Sequence, residues 1–325
     1  MLSDFRFRPS SILSMRIRYD EEFVEGAVFL CTSGRRKGVP LLQIARFNRE
    51  REKLYTILDP DERNAAFFQL NVDWFREWGI EKILMDVLNE FPLLRASLGL
   101  LAFRKARRRN EEGAELYVPR DSGDTEEPSG GNAVVALSVE RFEHDERVIP
   151  FLRHEFMHLH DMVDMAFGYM PELELAISGM NQQRLARERY RLLWDIVIDG
   201  RLSRANRSMV AAREQRWIEF ERGFGFWPKE RRQSVFDGLW QNEAPKHREL
   251  AALVADPRDL NSACGPKPGA PCPLCGFPTF DWRDADQVPP NIVEAIKREF
   301  PNWAIAQGLC GRCYETYQVA TAPTR

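Results

Sequence analysis

Two histidines four residues apart, with a glutamate directly after the first, occupy the segment His154-Glu155-Phe156-Met157-His158. On a helix, positions i and i+4 share a face, so both imidazoles can aim at one divalent ion. Glu155 then falls where its carboxylate reaches a water held by that ion. Zinc brings the pKa of such a water towards 7, and the carboxylate can remove its proton and later return it. The chain has 5 histidines among 325 residues, so composition alone rarely produces this spacing. The competing reading is an ordinary amphipathic helix with two incidental histidines. His160 lies about 200° round the helix from His158, so it is expected beside the site or at the surface, not on the ion.

A catalytic zinc takes a third protein ligand and keeps one position open. His144, His160 and His247 are poorly placed or isolated, which points to a carboxylate. The segment Trp194-Asp195-Ile196-Val197-Ile198-Asp199-Gly200-Arg201 carries two aspartates on one face of an apolar helical stretch. Buried carboxylates need partners. One aspartate would bind the ion, and the other would accept the free N–H of His154 or His158. Ion pairs to Arg191 or Arg201 would explain the same acids without a metal. Glu172 and Glu174 compete as ligands from a Pro-containing connection. Tyr190, Arg201 and His160 are candidate donors to a developing oxyanion.

Cys272-Pro-Leu-Cys275-Gly and Cys310-Gly-Arg-Cys313 have the spacing of two metal-binding knuckles, which together would complete a tetrahedral four-thiolate site. Closed coordination makes that site structural, so two zinc ions are expected, one catalytic and one structural. A short helix is expected between the knuckles, over 289–300. Cys31, in an apolar run, reads as a buried small hydrophobe. Cys264 reads as a linker cysteine or a stray ligand.

Elements must position these groups. Asp59-Pro60-Asp61-Glu62 is a helix start, with apolar positions continuing to Gly79. A second helix is expected from Ile80 to Phe91, ended by Pro92. Arg104–Arg109 is basic at five of six positions and reads as a solvated helix end or a phosphate-contacting patch. Strands are expected over 115–118 and 133–139, flanking a mobile loop at 120–132. The second strand could supply the edge along which an extended substrate lies. Helices follow over about 146–167, 181–208 and within 217–240, then a Pro/Gly-rich linker. The first 57 residues give no firm element. The resulting fold class is α+β: a mostly helical core with a small sheet, plus a C-terminal zinc ribbon. The expected divisions are 1–130, 131–255, a linker at 256–271 and the ribbon at 272–325.

Hydrophobic residues make up 44% of the chain and its formal net charge is -3, so polyanion binding by bulk electrostatics is excluded. Any nucleic-acid contact would need a local patch. No apolar run reaches the length of a membrane span, and a cytoplasmic location is expected.

His154, Glu155 and His158 resemble the H-E-x-x-H motif of the zincin metallopeptidases. Asp195 and Asp199 resemble the E-x-x-x-D pattern of their gluzincin type, with Asp standing where that pattern has Glu. The resemblance implies zinc on His154, His158 and Asp195, with Asp199 supporting a histidine. It also implies Glu155 as general base and a polypeptide substrate. Trp194–Leu202 is similar to the W-N-I-A-x-D segment of uncharacterised bacterial metallopeptidases, whose Asp corresponds to Asp199. This likeness covers roughly 133–205. A zincin-like core followed by a ribbon resembles the layout of SprT-type proteases, which act on DNA-bound proteins. Their third histidine ligand is missing here, so only the layout is shared. The alternative is a nucleic-acid- or protein-binding ribbon protein on a catalytically inactive zincin scaffold, with contacts from the ribbon and Arg104–Arg109. An intact Glu155 argues against such decay.

Overall fold

The computed structural model describes residues 15–117, 131–170, 180–255, 269–283, 287–301 and 303–321. Glu172, Glu174, Cys264, residues 120–130 of the expected loop and most of the expected linker lie outside them. The chain divides into two compact units, Met1–Ala251 and Ala252–Arg325. Among the described residues, no helix is long and apolar enough to cross a membrane.

The first unit is α+β and mostly helical. In chain order it runs β1 (Arg16–Tyr19), α1 (Glu21–Thr32), α2 (Leu41–Leu54), α3 (Pro60–Glu77), α4 (Ile80–Leu88) and α5 (Pro92–Ser97). Then come β2 (Leu98–Lys105), β3 (Gly113–Tyr117), β4 (Gly131–Leu137), α6 (Asp145–Val163) and α7 (Met180–Arg204). α8 (Arg213–Phe224) and α9 (Lys229–Gln241) follow, and α10 (His247–Ala255) spans the division at Ala251.

α3 starts where its caps dictate. Asp59 Oδ1 accepts the backbone N–H groups of Asp61 and Glu62, both at 2.9 Å, and Pro60 takes a first-turn position where no donor is missed. Pro92 departs from expectation. α4 already stops at Leu88, and Pro92 opens α5, because its fixed φ suits the first position of a helix.

The four strands form one mixed sheet in the order β1-β2-β4-β3. β1, β2 and β4 run parallel, and β3 pairs antiparallel with β4, with Glu115 opposite Val134. Two expectations change here. The run 133–139 is not a free edge, because β4 is hydrogen-bonded on both sides; the edge beside it is β3. Arg104 and Lys105 end a strand, not a helix, because Leu101 and Phe103 alternate inward along β2 and commit the segment to the sheet.

Residues on either side of position 130 share one core. Phe103 of β2 stacks on Phe23 of α1 and meets Phe156 of α6 edge-on, with ring centroids 6.2 and 6.4 Å away. Each fully buried phenylalanine contributes about 2–3 kcal/mol, and together they fix α6 beneath the sheet.

α7 leans on α9 at Gly200. A Cβ there would collide with the Trp240 carbonyl, which also accepts from Arg204. Gly200→Ala is therefore expected to destabilise the unit by about 1–3 kcal/mol, measured as a lower urea midpoint at unchanged m-value.

Candidate metal centre

α6 and α7 each contribute one face, and a buried clamp sets their register. Asp161 of α6 accepts from Trp194 Nε1 at 2.8 Å and from Arg201 Nη1 at 2.9 Å, both on α7. Burial alone would raise the Asp161 carboxyl; His160, Arg201 and Trp194 reverse this and hold it below its usual value. Arg201 is thereby committed to Asp161. It is neither the partner of Asp195 or Asp199 nor an oxyanion donor.

With the helices so aligned, Asp195 Oδ1 lies 3.2 Å from His154 Nε2 and 2.9 Å from His158 Nε2. Donors on a tetrahedral zinc at ordinary bond lengths stand about 3.4 Å apart, so these three atoms fit an ion of that size. Asp199, fully buried, lies with Oδ1 3.1 Å from His154 Nδ1. With the imidazole proton on Nδ1, His154 donates to Asp199 and turns the Nε2 lone pair towards the other donors. His158 is held from another side by Trp194, whose ring centroid is 4.5 Å away. Of the two aspartates, then, Asp195 sits with the imidazole pair and Asp199 stands behind His154.

Arg216 of α8 completes the cluster, and no sequence pattern pointed to it. It is buried, donates from Nε to Asp199 Oδ2 at 2.7 Å and places Nη1 3.6 Å from Asp195 Oδ2. Asp199, buried, and Asp195, half-buried, thus share one guanidinium, which also binds Glu219 at 2.8 Å. With no metal bound, positive charge on His154 is favoured: burial opposes it, but Asp195 and Asp199 outweigh burial and raise its pKa to about 10. The same imidazoles hold Asp195 well below the usual carboxylate range despite its burial. A divalent ion would take over this charge-balancing role.

A cleft of about 490 Å³ opens onto the cluster. Glu155, His158, Tyr190 and Trp194 line its helical side, and Gly113 and Ala114 of β3 line the other. Glu155 is buried and faces this space from the position after His154. Among the described residues, β3 has no strand on its outer edge. Tyr190 borders the cleft, yet its hydroxyl lies 2.6 Å from His247 Nδ1. Burial pushes the Tyr190 phenol up and the His247 imidazole down, so the phenol donates and the neutral ring accepts. His160 points elsewhere, its buried Nδ1 3.6 Å from Asp161, within ion-pair range but too far for a hydrogen bond. None of the three expected oxyanion donors is therefore free to serve from its present position.

The basic run divides. Arg104 lines the cleft, while Arg107 pairs with Glu22 at 3.1 Å.

In the second unit, Cys272 Sγ lies 3.9 Å from Cys313 Sγ, and Cys275 Sγ 3.8 Å from Cys310 Sγ. Disulfide sulfurs are about 2 Å apart, whereas a tetrahedral zinc–thiolate site has edges of about 3.8 Å. The four sulfurs thus form a cluster that could hold a metal ion. Gly276, with φ 75°, lets the first knuckle turn so that its N–H reaches the Cys272 carbonyl at 2.7 Å. Cys310 caps the last helix, α12 (Gly311–Ala320), its sulfur accepting the Cys313 N–H. The helix between the knuckles, α11 (Pro290–Glu299), buries Ile292 and Ile296 against the cysteines.

Set against known proteins, the chain matches no protein-family model, no curated relative and no solved structure, so the case for each site rests on its own geometry.

Proposed function

We propose that the chain is a zinc-dependent peptidase of the zincin type, with His154, His158 and Asp195 as metal ligands and Glu155 as general base. The observation that carries this reading is the convergence of both Nε2 atoms on Asp195 Oδ1 beside a cleft that His158 and Glu155 line. Zinc, when bound, would bring the pKa of a water towards neutrality and polarise the carbonyl to be attacked.

The chain's own groups do the rest. The edge of β3, which no strand covers among the described residues, offers main-chain donors and acceptors to an extended peptide. Glu155 takes a proton from the attacking water and returns it to the leaving amine. Asp199 keeps the His154 ring oriented, and Arg216 holds the other oxygen of Asp199. In the second unit, four thiolates would close the coordination shell of a structural zinc and leave no position for substrate.

The test is digestion of an unfolded polypeptide, such as reduced and alkylated casein, with products identified by mass spectrometry. New peptide termini that vanish on chelation and return with zinc are expected. Intact substrate at full zinc loading would overturn the reading.

A further inference from the structure

We propose that Arg191, backed by Arg187 one turn further along α7, forms an anion-binding subsite that selects peptides bearing a carboxylate close to the scissile bond. This deepens, and rests on, the peptidase reading of the cleft.

Arg187, Arg191 and Asp195 follow one another at i, i+4 and i+8, so a single face of α7 runs from the candidate metal ligand along the cleft. Both arginines line the cleft and both are exposed. Among the described residues neither is held in an ion pair, and the same is true of Arg104, which lines the cleft from β2. Arg216 is taken by Asp199, Arg201 by Asp161 and Arg141 by Glu112. Three of the four acids that line the cleft have hydrogen-bond partners of their own. Glu112 binds Arg141, Glu111 accepts the Arg107 backbone N–H at 2.9 Å, and Glu115 accepts the Tyr117 hydroxyl. Arg187 and Arg191 thus stand on the α7 side of the cleft without an ion-pair partner among the described residues.

The backbone of β3 leaves room for a guest at that charge. Gly113 has φ 150°, a conformation that L side chains rarely adopt. A Cβ there would stand 3.4 Å from Arg191 Nη2 and 3.7 Å from Glu155 Oε2, yet no ion pair closes between those two groups. The glycine thus keeps open a space bordered by both the candidate base and the guanidinium.

Distances set which part of a substrate would fill it. Four helical residues separate Arg191 from Asp195, an axial offset of about 6 Å, and an extended peptide advances about 3.3 Å per residue. The guanidinium therefore reaches a group one or two residues from the carbonyl under attack. A planar fork of donors suits a carboxylate. Its source is either an acidic side chain or the terminal carboxylate of the substrate.

Binding, not turnover, tests this. Zinc-loaded Glu155→Gln protein is titrated against three fluorescein-labelled octapeptides, read by anisotropy. One has a central Glu and an amidated end, one a central Gln and an amidated end, and one a central Gln and a free carboxylate. Either carboxylate-bearing peptide is expected to bind about tenfold tighter than the neutral one. A preference for the second source would mark an enzyme that trims chain ends. Adding Arg191→Gln should erase the preference, and Arg191→Glu should reverse it towards a peptide with a central Lys. Equal binding of all three, a preference that survives Arg191→Gln, or no binding of any peptide overturns the proposal. Cleavage by the unaltered chain is scored separately. Carboxylate-selective binding without hydrolysis would sink the peptidase reading and leave the subsite standing.

Discussion

Glu155→Gln is expected to lower kcat for peptide hydrolysis by about 10²–10⁴-fold, with zinc content and Tm unchanged. Gln keeps the volume and planar shape of the side chain, so the buried site still packs, but it cannot accept the proton of the attacking water. The separation of effects carries the information. Glu155 lies outside the group of donors that converge within 4.8 Å of one another, so its loss should not cost metal. A variant that lost one zinc along with activity would make Glu155 a ligand and demand a different base. Unchanged activity would remove Glu155 from the chemistry altogether. Steady-state kinetics on a cleavable peptide, paired with metal analysis of the same sample, reads both outcomes.

The second large effect concerns stability. Arg216→Leu removes the one guanidinium that compensates Asp199, whose side chain has no exposure to solvent. Breaking a buried pair from one side costs about 3–5 kcal/mol. That loss should appear in the chelated protein as faster hydrogen exchange across α6 and α7. It should shrink once zinc is added, because the ion restores positive charge beside Asp195 and binds only the folded form. Adding Asp199→Asn to Arg216→Leu should recover part of the stability, since it removes the stranded charge. Protection that is unaffected by Arg216→Leu, with or without zinc, would show that the guanidinium is incidental to the cluster.

These residues also mark where sequence reading reaches and where it stops. The His154–His158 spacing and the two cysteine pairs are local patterns, and helix or knuckle geometry converts each directly into a donor set. The Asp59 cap of α3 is equally local. Arg216 is not. It lies on a different helix from Asp199, one of 46 lysines and arginines, and only the packing of α8 on α7 singles it out. The available signal was indirect: two aspartates on one buried face require a cation, and Arg191 or Arg201 were nearer in sequence. Arg201 in fact answers Asp161, another buried acid that the sequence left unpaired.

Two of the four strands, β1 and β2, failed to read for a related reason, while β3 and β4 fall on the runs expected over 115–118 and 133–139. β1 is four residues long, and the apolar run of β2 ends in Arg104-Lys105, so neither carried turn signals that would separate strand from helix. β-branched content points to the strand at 133–139, but it cannot say which strands lie beside it. The placement of β3 outside β4, which makes Gly113 and Ala114 the wall of the cleft, is a property of long-range pairing.

Zinc counted per chain tests the central claim most directly, using unaltered protein and a His154→Ala/His158→Ala variant purified alike. The account predicts about two zinc ions in the former and about one in the latter, the survivor being held by Cys272, Cys275, Cys310 and Cys313. An identical count in the two proteins would contradict it.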